Sequence, residues 1–245
     1  VIFLVKPGGF TLIAILMVVM TVSGCASLQE GIGDVMESDA GAGELEESVV
    51  IEGIREALRV GTGNTLVSTS RVDGYLGNEM IRIALPDQLK SVASTLRSVG
   101  LGAHVDELEV GMNRAAELAA AEARDIFWEA ITKMTIADAF GVLNGDDTAA
   151  TEYFRGQTGS ELRRRFHPII ESKMEEIGLS RLYGRIEDTY SSLTFTGTPE
   201  LVVLDEYVTD RALEGLFTVL AGEEKKIRRD PAARTTELLR QVFGK

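Results

Sequence analysis

The stretch Asn144-Gly145-Asp146-Asp147-Thr148 places two carboxylates and a hydroxyl within five residues. A hard cation could use these oxygens, but calcium takes about six to eight, and the spacing of a calcium loop is absent. Capping of a following helix by Asp147 or Thr148 accounts for the cluster better, because acidic caps complement the helix dipole. No metal site is expected. A second polar set comprises Asn113 and Arg114 on one helical segment and Asp205, Tyr207, Asp210 and Arg211 on another. Asparagine forms helices poorly, so Asn113 among apolar and alanine neighbours needs a partner. That partner is either a group across a helix interface or a ligand in a cleft. Arg114 with Asp210, or Arg211 with Asp205, would make ion pairs of the kind found in helical cores. If Asp146, Asp147 and Asp210 converged in a pocket, burial could separate their pKa values and yield an acid and a base for hydrolysis.

Other signals are weaker. The only histidines are His104 and His167. His104-Val105-Asp106-Glu107 lacks the second histidine of a zinc-protease ligand set. His167 precedes Pro168, at an expected kink. Arg163, Arg164 and Arg165 spread over about 300° of a helix and so form no single basic face. Gly61-Thr62-Gly63-Asn64 lacks the third glycine and the preceding strand of a phosphate-binding turn, and reads as a permissive helix end. No cofactor is expected, and non-covalent interaction is favoured over catalysis.

The only cysteine, Cys25, ends Val22-Ser23-Gly24-Cys25, and residues 10–22 before it, FTLIAILMVVMTV, are apolar. Thirteen residues suit the apolar core of a signal peptide better than a membrane span of about 20. The four-residue stretch resembles the bacterial lipobox, which implies lipidation of the Cys25 thiol and cleavage between Gly24 and Cys25. Two or three acyl chains make such an anchor effectively permanent. Ala26, in place of an aspartate, implies the periplasmic face of an outer membrane. Residues 26–54 carry eight acidic residues and no basic one. The expected organisation is therefore a signal peptide (1–24), an acidic, glycine-containing tether (25–44) and a folded domain (45–245). Without Lys6, the only charge in residues 1–24, 24 basic and 38 acidic residues leave a net charge of −14. That field repels phosphate backbones, so no nucleic-acid partner is expected. The expected partner surface is the membrane, reached through the lipid.

The elements that must position the polar residues are helical. Val50, Ile54, Leu58 and Gly61 share one helix face, and residues 61–78 pass into a glycine-containing loop. Residues 80–89, MIRIALPDQL, hold the one alternating apolar pattern, giving at most a short extended segment near 80–85 that ends at Pro86. Pro86 suits the start of a helix that stops before Gly100. Residues 103–134 read as one long helix, and Thr135 as the N-cap of the next. Further helices are expected near 148–157, 159–177, 180–193, 205–229 and 231–243. The expectation is a single all-α domain of about eight helices.

Six segments together, EALRVGTGNTL, DGYLGNEMIRIALP, MNRAAELAAAEA, GDDTAATEYFR, DEYVTDRALEGLF and DPAARTTELLRQVFG, resemble a bacterial family of exported helical proteins, domain-of-unknown-function family 4197. The resemblance spans roughly residues 45–245. It implies export and a helical fold, and it implies no reaction. The resulting expectation is a lipid-anchored interaction or small-ligand-binding protein of the envelope. A carboxylate-based hydrolase and an elongated spacer between membrane and cell wall are the alternatives.

Overall fold

Apolar residues at three- and four-residue spacing build every long element. The computed structural model describes residues 46–176, 178–193 and 203–244; the expected signal peptide and tether, with Gly24 and Cys25, lie outside them. The described residues form nine α-helices and no strand, and they make one domain. α1 (Glu47–Thr69) buries Val50, Ile54, Leu58 and Leu66. It runs straight through Gly61 and Gly63, where the sequence suggested a helix end. Burial of this helix face in the core overrides the glycines. Gly61 packs against Leu220, and the buried Thr62, Thr65 and Thr69 hydroxyls donate to the carbonyls four residues earlier at 2.6–2.8 Å. Every buried hydroxyl there is thus satisfied.

Residues 70–86 form a looped segment, followed by a short 3-10 turn (Asp87–Leu89) and α2 (Lys90–Ser98). Gly100 then takes φ +83°, a left-handed value open to glycine. The expected long helix is two: α3 (Gly102–Ala120) and α4 (Ala123–Lys133). The alanines around the break favour helix, so packing and not propensity ends α3. Ala119, Ala120 and Ala123 are fully buried, and α4 delivers Phe127 to within 5.4 Å of Phe154, edge to face. α5 (Ile136–Leu143) begins at Thr135, which forms a reciprocal capping box with Asp138.

The two helices expected between 148 and 177 are one, α6 (Ala149–Glu176), despite Gly156, Gly159 and Pro168. Its buried side chains include Ala150, Phe154, Thr158, Leu162, Phe166, Ile170 and Met174, one at every fourth position. Such a row is a continuous ridge that packs into neighbouring helices. The ridge keeps the helix intact where local propensity would break it. α7 (Leu179–Leu193) follows, and then α8 (Leu204–Arg229), which packs against α1, α3 and α6. Acidic Asp205 and Glu206 open α8 and Lys226, Arg228 and Arg229 close it, matching its dipole. A 3-10 turn (Pro231–Ala233) leads to α9 (Glu237–Phe243), which docks on α1 at Gly53. No described helix is long and apolar enough to cross a membrane.

Candidate functional site

Asn113 is fully buried on α3 and faces the 70–86 segment. Its Oδ1 accepts from the Ile83 N–H at 2.9 Å, and its Nδ2 donates to the Ile83 carbonyl at 2.8 Å and to the Glu109 carbonyl at 2.8 Å. The side-chain amide thus does for Ile83 what a neighbouring strand would do. This is why an alternating pattern persists near 80–85 although no strand forms. One turn along α3, the buried Glu117 accepts from the Tyr75 and Leu76 N–H groups. Arg114 donates to Glu117 at 2.7 Å and to Asp73 at 2.8 Å. These bonds hold the Arg114 guanidinium more firmly in its charged form and pin Asp73 at φ +62°. From α8, the Tyr207 hydroxyl donates to the Ala84 carbonyl at 2.9 Å, and the Tyr75 hydroxyl donates to Ala212 at 2.7 Å. Burial, reinforced by the Glu117 charge, pushes the Tyr75 phenol far above its ordinary range. Asn113, Arg114 and Tyr207 therefore clamp a loop, and they line no open cleft.

The expected ion pairs, Arg114 with Asp210 and Arg211 with Asp205, do not form. Arg114 is committed to Glu117 and Asp73, Asp210 pairs with Arg163, and Asp205 stands 3.4 Å from His167. Arg211 binds Glu214 at 2.5 Å and lies over the Tyr207 ring at 5.6 Å. His104 is exposed near the start of α3, 3.9 Å from Glu107.

Asp146, Asp147 and Thr148 precede α6 as expected, but they do not carry its cap. Asp146 Oδ1 accepts from the Thr148 N–H at 3.1 Å, closing its own turn, and Asp147 pairs with Arg229. The free N–H groups of Ala150 and Thr151 go instead to Glu224 of α8, at 2.9 and 2.8 Å. Arg228 binds the same carboxylate at 2.9 Å and donates to the Val142 carbonyl at the end of α5 at 2.7 Å. A buried acid–base pair thus ties one helix end to another. The adjoining cavity, between α1, α8 and Phe243, is ≈ 20 Å³, enough for about one water. From Ala149 to Arg163, the partner of Asp210, α6 rises about 21 Å. Asp146, Asp147 and Asp210 therefore do not converge, and the carboxylate pair of a hydrolase is not assembled from them. No cluster of metal-ligating side chains occurs among the described residues.

A ligand-sized concavity lies elsewhere. A groove of ≈ 560 Å³ runs between α4, α5 and α6, with Glu129, Lys133, Asp138, Tyr153, Gln157 and Arg164 on its walls. The Asp138 carboxyl is held below the usual carboxylate range by the Thr135 hydroxyl and N–H. The same oxygen accepts from Tyr153 at 3.4 Å. Burial pushes the Tyr153 phenol above its ordinary value, and the Asp138 charge adds to this. Lys133 pairs with Glu129 at 2.5 Å, and Arg164 pairs with Glu161.

Residues 44–244 match the family described as protein of unknown function (DUF4197). The chain belongs to the DUF4197 family. No curated protein and no solved structure shows a match to it. In this DUF4197 domain, three of the segments that carried the resemblance meet in the clamp: the 73–86 loop, α3 around Asn113 and α8 around Tyr207 and Ala212. Of the groove residues, the sequence pointed only to Thr135, as a cap, and to Arg164, within an arginine run that forms no single face. Their one local signal was the Thr135-x-x-Asp138 capping pattern, which says nothing of Tyr153 fifteen residues away. Glu224 left a trace too: an acid within the apolar row Leu216, Leu220 and Ile227, four residues before Arg228.

Proposed function

We propose that this DUF4197 protein is a lipid-anchored, periplasm-facing envelope protein that binds a small polar ligand non-covalently in the α4–α5–α6 groove. The groove carries the reading. Its ≈ 560 Å³ falls within the range of small-ligand sites, about 300–1,000 Å³. Its walls offer carboxylate, phenol, amide and guanidinium groups, while the other polar clusters are consumed in holding the fold. The lipobox stretch ending at Cys25 and the apolar run before it support the anchor. In bacteria fed a fatty-acid probe, the wild-type protein takes up label and Cys25→Ser does not; label on the variant overturns the anchor. For the groove, the purified protein is titrated with a polar-metabolite panel and followed by backbone NMR. Shifts confined to Glu129, Tyr153, Gln157 and their neighbours are expected. Ligands that shift only residues outside the groove overturn the assignment.

A further inference from the structure

Resting on the reading of the groove as a ligand site, we infer that it recognises a primary ammonium group, received by Asp138 beside Tyr153. The groove walls carry three carboxylates, Glu129, Asp138 and Glu161, against two cations, Lys133 and Arg164. Both cations are already paired, with Glu129 and Glu161 respectively, and Arg165 also reaches Glu161 at 3.2 Å. The nearby Arg55 is committed to the Thr132 and Met134 carbonyls, at 3.3 and 2.9 Å.

Asp138 differs from the other two acids. No cation lies within ion-pair distance of it among the described residues. Its Oδ2 takes the Thr135 N–H at 2.9 Å, the Thr135 hydroxyl at 2.7 Å and the Tyr153 hydroxyl at 3.4 Å. Its Oδ1 accepts nothing among the described residues. One oxygen fixes the carboxylate in place, and the other keeps its lone pairs free on a residue that lines the groove. The Thr135 bonds also hold its carboxyl below the usual carboxylate range. A preorganised anion with a free oxygen selects a cation with several donors, and an ammonium has three. The adjacent phenol oxygen can accept a second of them.

The same geometry bounds the rest of the ligand. From Tyr153 to Arg164, α6 rises about 16 Å, and the exposed Gln157 and Ser160 line the path between. A polar body with an ammonium at one end fits this wall. A peptide N-terminus, an amino sugar and a polyamine all present that chemistry.

The test titrates the full chain, purified in detergent, with trialanine, glucosamine and spermidine, alongside N-acetyl-trialanine and N-acetylglucosamine, by NMR and calorimetry. The expected result is that at least one amine shifts the Asp138 and Tyr153 resonances. Its N-acetylated counterpart, or for spermidine its binding to Asp138→Asn, should be at least tenfold weaker. The member that binds identifies the source. Asp138→Asn also removes half of the α5 capping box, so Tyr153→Phe serves as a second variant. It keeps the cap and the ring and should weaken amine binding several-fold. Equal binding of free and acetylated probes in the groove overturns the ammonium reading and leaves the groove as a ligand site. So does unchanged amine binding in both variants. Binding of none of the five probes overturns the ammonium reading, while the wider panel still decides the groove.

Discussion

A single amide decides how the 70–86 segment is held. Asn113 satisfies both backbone groups of Ile83 and the carbonyl of Glu109 from a fully buried position. Leucine has nearly the same shape but supplies neither donor nor acceptor. Asn113→Leu would strand the Ile83 N–H and carbonyl, each an orphan costing about 1–3 kcal/mol. The expected loss is about 3 kcal/mol of unfolding free energy in urea titration, with faster hydrogen exchange at Ile83. A loss below about 1 kcal/mol would mean that water or another donor replaces the amide. Glu117 and Glu224 follow the same logic with charge. Each is a buried carboxylate that accepts two backbone N–H groups and binds an arginine on its own helix, Arg114 and Arg228 respectively. Removing either acid would orphan both N–H donors and take from the arginine its buried carboxylate partner.

Glycine within helices has opposite meanings at two places. A Cβ on Gly53 would stand 2.3 Å from Val242 Cγ2, the contact through which α9 docks on α1. A Cβ on Gly156 of α6 would meet nothing within 4 Å. The same substitution should therefore act with opposite sign. Gly156→Ala should stabilise by about 0.5–1 kcal/mol, because a mid-helix glycine costs that much relative to alanine. Gly53→Ala should gain the same propensity but lose about 1–3 kcal/mol to overpacking, loosening α9 first. Thermal melts of both variants check the signs, and exchange at Leu239 and Val242 checks the location. Stabilisation by Gly53→Ala would show that Val242 can turn aside at little cost.

Across the domain, α1 and α8 tie the other helices together. α1 packs against α4, α5, α8 and α9, and α8 packs against α1, α3 and α6. The buried apolar residues of the described helices form one cluster, so these helices gather around shared partners. Unfolding is expected in one cooperative transition. Ellipticity and calorimetry should give the same midpoint, and the slowest amides of α1 and α8 should exchange with the same free energy. Two separated transitions would refute a single core.

Local chemistry was enough to determine much of this protein. Helical periodicity set the class, Thr135 marked the start of α5, and Gly100 closed the α2 region. These signals act within one or two turns of chain and need no distant partner. Tertiary structure decided what local chemistry left open. It joined two expected helices into α6 along one buried ridge, split another between Ala120 and Ala123, and carried α1 through Gly61 and Gly63. The composition of Asn113's surroundings revealed that it needed a partner, but the partner lies thirty residues away in a loop. Glu224 caps a helix more than seventy residues earlier, and Asp138 meets Tyr153 across a groove that exists only once α4, α5 and α6 have packed. Each of these pairings depends on where the chain returns in space. Burial energy summed over the whole core determines that return, and no short window of sequence contains it.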